Sequence, residues 1–292
     1  MLSKLLRVAA IITMTVILFF TVSSVAAGDD GDRTFAPPAP YYLSLGDSIG
    51  FGLQLDRLFE MLDHGTYTPD AFQTGYTDVF AARMHGIRSD QQVVNMSCPA
   101  ESTYTMINGG CFFSSPDGFG LMLHTNYAGP QLDAAVAFLR SHPGQVSPVT
   151  LSMGVNDVTG VISECHFDAT CVEQSGIRNE LNQALGRILA AIRAAAPHTE
   201  IIVVALYNPF SISNPGTDGL WRRAYTNVEK DAAGRYNARL ADTSDVVHGT
   251  DQVCKLTFLC GSGDVHPTDA GYAAIADLIF RVSGYGRLER GS

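Results

Sequence analysis

The chain has 292 residues, 46% hydrophobic and 16% charged. That is enough apolar content for one sizeable core and argues against a disordered chain. A formal net charge of −10 disfavours nucleic acid and anionic lipid headgroups as partners.

Lys4 and Arg7 precede an uncharged apolar run, Val8 to Phe20, and Val25-Ala26-Ala27 offers small residues before Gly28. This is the layout of a secretory signal over 1–27, cut after Ala27. The rival reading is an uncleaved membrane anchor, since Val8 to Gly28 carries no charge. We expect cleavage, because the apolar core is short and ends in small residues. Cleavage removes two basic residues and no acid, so the exported chain is more acidic still. Residues 28–40, ending in Ala36-Pro37-Pro38-Ala39-Pro40, read as an extended linker. A single domain is expected over 41–285.

Apolar runs then alternate with helical patterns. Strands are expected at Tyr41–Leu45, Gln92–Met96, Val149–Met153 and Ile201–Leu206, with Asp245–His248 a weak fifth. Helices are expected at Gly129–Arg140, Gly176–Ala196, Leu220–Leu240 and Thr268–Val282, the last with Thr268 as N-cap. Alternation of this kind gives βαβ units and a mainly parallel sheet covered by helices on both faces. Gly50–Ala128 breaks the rhythm; a long Gly-, Tyr-, Phe- and Met-rich loop region usually builds a binding surface.

Six cysteines in an exported chain point to three disulfides. They fall in close pairs, so Cys98–Cys111, Cys165–Cys171 and Cys254–Cys260 are expected. The alternative is a metal site, but neither Cys-x-x-Cys nor a His pair at ligand spacing occurs, and no metal is expected.

Gly46-Asp47-Ser48-Ile49-Gly50 closes the first strand. A Ser at a strand-to-helix turn can expose its hydroxyl at the C-terminal sheet edge, with its N–H near a helix N-terminus. The bland reading is a Gly-rich turn with Ser as N-cap. The pentapeptide also matches the Gly-x-Ser-x-Gly elbow of α/β-hydrolases, but that elbow follows several strands, and here Ser48 closes the first.

Among eight histidines, His85, His142 and His198 sit in loops or at helix ends, and His64 and His124 in the irregular region. His266 differs: in Gly263-Asp264-Val265-His266-Pro267-Thr268 it precedes the last helix, and Asp264 is close enough to orient its ring. Gly154-Val155-Asn156-Asp157 follows the third strand, so the Asn156 amide can reach an oxyanion. Asn95-Met96-Ser97-Cys98-Pro99-Ala100-Glu101-Ser102 follows the second, and a backbone N–H there can be another donor. Asn95-Met96-Ser97 also forms a weak glycosylation match.

These four blocks, in this order, resemble the SGNH family of GDSL hydrolases over roughly Tyr41 to Val282. The cysteine layout resembles its secreted lipase-like members. The resemblance implies a flavodoxin-like three-layer α/β/α sandwich with a mainly parallel five-stranded sheet. It implies Ser48 as nucleophile and His266 as general base. The oxyanion hole would comprise the N–H groups of Ser48 and Ala100 and the side chain of Asn156. No cofactor is implied.

Two departures stand out. The second block usually ends in Gly, where this chain has Ala100. The acid usually lies three residues before the His, where this chain has Gly263, so either Asp264 or a backbone carbonyl orients His266. We expect Asp264.

The resulting expectation is a secreted, monomeric carboxylic-ester hydrolase for lipid or other acyl esters. Phe112, Phe113, Phe119, Leu121, Met122 and Leu123 would form an acyl pocket, a lid or a satellite cluster, leaving room for transient lipid-interface contact. A carbohydrate O-acetylesterase and a non-catalytic binding protein are the alternatives.

Overall fold

The computed structural model of the chain describes residues 35–289. The expected signal segment and the start of the expected linker lie outside them. The last linker residues lie along the domain: the Phe35 ring meets Tyr285 edge-on at 5.8 Å, and Ala39 N–H donates to Ser147 O at 2.8 Å.

Five strands form one sheet: β1 Tyr41–Gly46, β2 Gln92–Asn95, β3 Val146–Ser152, β4 Ile201–Ala205 and β5 Arg239–Asp242. Their spatial order is β2-β1-β3-β4-β5, all parallel. Every residue of β3 and β4 is buried, as a parallel sheet covered on both faces requires. Strand order reverses beside β1, and ligand crevices in open α/β sheets form at the carboxyl ends of strands flanking such a point.

Helices α1 Ser48–Phe51, α2 Leu55–Asp63, α3 Tyr76–Met84 and α4 Thr103–Asn108 come before β3, as does α5 Gln131–Ser141. After β3 come α6 Val155–Glu164, α7 Ala169–Gln174 and α8 Ile177–Ala195. The remainder are α9 Asp218–Trp221, α10 Asn227–Arg235, α11 Gly249–Leu256 and α12 Asp269–Ser283. Helix α12 packs on α3, while α8 packs on both α5 and α10. Helix α8 shows the underlying pattern: Ile177, Leu181, Leu185, Ile188, Leu189 and Ile192 recur at helical spacing and are all buried. Thr268 caps α12, its hydroxyl accepting from Gly271 N–H at 3.2 Å.

Four expectations need correction. The fifth strand is Arg239–Asp242, not Asp245–His248. The expected helix Leu220–Leu240 stops at Arg235, because Asn237 adopts φ 52° and Ala238 N–H returns to Ala233 O at 2.9 Å, a Schellman-type stop. The chain is then free to extend, and Ile202–Ala205 pair with Arg239–Asp242. Asp245–His248 instead follows a 3-10 turn, Thr243–Asp245, and leads into α11.

Strand β3 starts at Val146 rather than after Pro148. A register shift against β1 between Tyr41 and Leu43 lies where Pro148, which has no N–H, joins the sheet. Finally, Gly50–Ala128 is not one loop. It holds α2, α3 and α4, and α3 buries Tyr76, Thr77, Phe80, Ala81 and Met84 at helical spacing.

Three disulfides, Cys98–Cys111, Cys165–Cys171 and Cys254–Cys260, staple short loops. The first anchors a satellite core of Phe51, Leu53, Leu58, Phe72, Phe113 and Leu123.

Candidate active site

The end of β1 presses against β3. Gly46 has φ 131°, and a Cβ there would lie 1.9 Å from Ser152 O, so only glycine fits. The next residue, Asp47, is fully buried and caps α1. Its Oδ1 accepts from Ile49 N–H at 3.0 Å and from Ser152 Oγ at 3.0 Å. Asp47, not Ser48, is therefore the N-cap, which removes the bland reading of Ser48. Ser48 opens α1, where first-turn N–H groups have no partner within the helix.

The turn is held from behind. Gly50 O accepts from Asn95 Nδ2 at 3.0 Å and from Thr77 Oγ1 at 2.8 Å. Asn95 is buried and spends its amide this way, which makes it a poor glycosylation acceptor.

His266 reaches the same sheet edge through a compact turn. Its ring Nδ1 lies 2.5 Å from Asp264 Oδ1, and its backbone N–H donates to that oxygen at 3.1 Å. Asp264 Oδ2 accepts from Leu55 N–H, the first residue of α2, at 3.1 Å. A carboxylate two residues before the His thus reaches Nδ1, with Gly263 at φ 76° shaping the turn. Burial pushes the Asp264 carboxyl up. The hydrogen bonds from the His266 side chain and backbone, its charge, and the Leu55 N–H outweigh burial and hold it below its ordinary value. His266 Nε2 is buried and has no hydrogen-bond partner.

The Ser48 and His266 segments are tied to each other. Gln54 Nε2 donates to Pro267 O at 3.3 Å and to Asp269 Oδ1 at 2.9 Å, and Tyr272 OH donates to Leu53 O at 2.8 Å. Tyr207 OH donates to Val265 O.

The other two blocks are clamped together as well. Asn156 Nδ2 donates to Glu101 O at 2.8 Å, which leaves its second amide hydrogen. Asp157 accepts from Thr103 N–H at 3.0 Å and from Thr103 Oγ1 at 2.5 Å, so it satisfies the first N–H of α4, whose N-cap is Ser102. Between these lies Ala100, exposed and at φ 65°. The position that usually holds glycine does have left-handed backbone, and here alanine occupies it.

Gln131 was not foreseen. It is fully buried, and its side chain accepts from Gly46 N–H at 2.7 Å and donates to Gly46 O at 2.9 Å. It also reaches Glu101 Oε2 at 3.4 Å, so one amide joins the first and second blocks. As a single polar residue opening an amphipathic helix, it carries no sequence signal.

The stretch Phe112–Leu123 divides. Phe113 and Leu123 are buried in the satellite core, and Phe112, Phe119 and Met122 are exposed. Cys98, Glu101 and Cys111 are the one grouping of metal-ligating side chains among the described residues, but both sulfurs are in a disulfide and offer no thiolate. A polar cavity of about 540 Å³ lies beside the ends of β4 and β5, lined by Asn208, Trp221, Asp242 and His248. It contains none of the residues of the four blocks.

Fold and motif blocks together define an ester hydrolase of the SGNH class. The model of the GDSL-like lipase/acylhydrolase family matches residues 44–274, and the chain belongs to that family. None of the curated proteins compared matches the chain significantly. Solved structures share the fold at low identity. The extracellular lipase of Streptomyces rimosus is 15% identical with a TM-score of 0.56, covering 84% of this chain and 100% of its own. A goat rumen metagenome lipase is 16% identical with a TM-score of 0.54, covering 85% and 99%. Phospholipase A1 of Streptomyces albidoflavus is 16% identical with a TM-score of 0.52, covering 84% and 99%.

Ala100 sits in a conformation that costs L-residues about 1–2 kcal/mol, and its methyl is exposed. Ala100→Gly should therefore stabilise the chain by about 0.5–1 kcal/mol in urea unfolding, after the entropy of the added glycine. A destabilised variant would show that the methyl makes contacts that matter.

Burial pushes the Asp47 and Glu101 carboxyls up to about 7, and Glu229, fully buried with neither oxygen bonded, well above its usual range. In the window from the ordinary carboxylate range up to about 7 the folded chain keeps protons that the unfolded chain has lost, so stability falls as pH rises. Asp264 has the opposite sign. Its contribution is present above the unfolded carboxylate value and is lost as pH falls through the depressed folded value. The melting temperature should be higher near pH 5 than near pH 8, and Asp47→Asn should narrow the gap. A chain at least as stable near pH 8 contradicts this.

Proposed function

We propose that the chain is a secreted serine hydrolase that cleaves carboxylic esters through an acyl-enzyme on Ser48. The observation that carries this reading is the buried, unpartnered His266 Nε2, in a ring whose Nδ1 is engaged by Asp264. Such a ring has a fixed orientation and one free basic nitrogen.

His266 Nε2 takes the Ser48 hydroxyl proton as Oγ attacks the ester carbonyl carbon. The tetrahedral oxyanion is stabilised by the N–H groups of Ser48 and Ala100 and by the second amide hydrogen of Asn156. Asp264, kept ionised, stabilises the imidazolium. The C–O bond to the leaving group then breaks, and His266 returns the proton to the departing alkoxide. Water, deprotonated by the same nitrogen, attacks the acyl-serine and releases the acid. Gln131 and Asp157 act only by positioning the first and second blocks.

Lipid esters are favoured as substrates by the lipases and phospholipase among the structural neighbours and by the apolar surface near Ser48. Secretion is supported by the signal-like sequence over 1–27 and by three disulfides. The proposed catalytic domain is 41–285, acting as a monomer.

The test is steady-state hydrolysis of nitrophenyl esters of graded chain length by the purified chain. Ser48→Ala should lower kcat by at least ~10³-fold and Asp264→Ala by ~10²- to 10⁴-fold. Full activity in Ser48→Ala rejects the mechanism, and near-normal activity in Asp264→Ala transfers the orienting role to backbone.

A further inference from the structure

Among the described residues, the large hydrophobic side chains that stand exposed are Phe59, Leu62, Tyr104, Phe112, Phe119 and Met122. All lie in the segment between β1 and β3, on α2, on α4 or in the loop that follows Cys111. On α2, Leu55, Leu58, Phe59 and Leu62 fall on one stripe at helical spacing. Only Leu58 is buried, while Phe59 and Leu62 are 55% and 39% exposed. Phe112, Phe119 and Met122 are 55%, 64% and 55% exposed. Scattered apolar side chains are ordinary, but concentration in one segment is not.

This surface is continuous with the nucleophile turn. Phe51 of α1 packs on Phe113 with ring centroids 5.6 Å apart, Phe113 on Phe119 at 6.0 Å, and Phe119 on Phe112 at 5.7 Å. Tyr67 OH donates to Met122 O at 2.7 Å, pinning the loop to the segment that follows α2. Helix α2 in turn begins at the N–H that binds Asp264.

Charge selects the occupant. Asp56, Glu60, Asp63 and Asp117 stand exposed along these elements. The cations of residues 35–128 are Arg57, Arg83 and Arg88, and each is paired with an aspartate. An anionic membrane would meet these acids with no unpaired cation from the same segment to offset them. A choline headgroup suits both features, because exposed aromatic faces and carboxylates each attract a quaternary ammonium.

We propose that the surface formed by α2 and by the loop that follows Cys111 docks this enzyme onto a zwitterionic phosphatidylcholine-type lipid surface, with the apolar side chains entering the acyl boundary. This rests on the ester-hydrolase reading for its purpose but not for its measurement.

The experiment uses the Ser48→Ala chain, which leaves the lipid intact, in co-sedimentation with vesicles of phosphatidylcholine alone and of phosphatidylcholine with phosphatidylglycerol. Partitioning onto phosphatidylcholine, weakened by phosphatidylglycerol, is expected. Phe112→Ser with Phe119→Ser should weaken it by about tenfold or more, as loss of buried apolar area predicts. Phe59→Ser with Leu62→Ser, on a separate element, should do the same if the first variant fails to melt cooperatively. No partitioning onto phosphatidylcholine, a preference for phosphatidylglycerol, or undiminished binding by folded variants overturns the proposal. So does a dimer in sedimentation that the same substitutions dissociate, which would assign the face to a second copy of this chain. Hydrolysis of a soluble nitrophenyl ester is run beside it on the unsubstituted and Ser48→Ala chains. No activity in the unsubstituted chain rejects the esterase reading, activity undiminished in Ser48→Ala rejects the Ser48 mechanism, and either leaves the vesicle result to decide the docking surface.

Discussion

The end of β1 is wedged between two neighbours, and the site is organised around that wedge. On one side Gly46 lies so close to Ser152 O of β3 that no side chain fits. On the other, the Gln131 amide takes both backbone polar groups of Gly46, and Asp47 bonds across to Ser152. A buried backbone group left without a partner costs about 1–3 kcal/mol, so these bonds fix where the strand stops. Ser48 is the next residue along. Its position follows from the geometry of the sheet edge, and its own carbonyl accepts from the Gly52 and Leu53 N–H groups.

The same logic extends outward. Gln131 also reaches Glu101, and Asn156 and Asp157 grip Glu101 and Thr103, so side-chain amides and carboxylates tie the ends of β1, β2 and β3 together. The cost is electrostatic. Asp47, Glu101 and Glu229 are buried acids with at least one unbonded oxygen each, and burial drives each toward its neutral form. Asp264 is the exception. Three hydrogen bonds, from His266 twice and Leu55 once, keep it ionised where an imidazolium would need it. Acids confined to the same sheet edge therefore differ in state through their partners as well as their depth, Asp264 being both the best bonded and the least deeply buried.

Much of this was legible in the sequence. Ser48, Asn156 and Ala100 each follow a strand whose apolar run is readable, and His266 precedes a helix with a clear cap. The left-handed backbone at Ala100 follows from its place where glycine is usual. Other parts were not legible. Strand β5 is four residues long and mixed in polarity, and the helix before it ends at an Asn that only its φ reveals as a stop. Helices α2 to α4 are only six to nine residues long, so even the regular stripe on α2 spans too few turns to stand out against the Gly-rich background. Gln131 is invisible for a different reason: its role comes from a strand 85 positions away. The placement of Asp264 one residue off the usual spacing left two orienting partners open, and the contact at Nδ1 is to the carboxylate.

The central claim is that Ser48 is the nucleophile and that His266 makes it one. A fluorophosphonate that traps activated serines, followed by peptide mass spectrometry, tests both parts together. The account predicts one stoichiometric adduct on Ser48 in the unsubstituted chain and none over the same time in His266→Ala. An adduct on another serine, no adduct, or undiminished labelling of Ser48 in His266→Ala would contradict it.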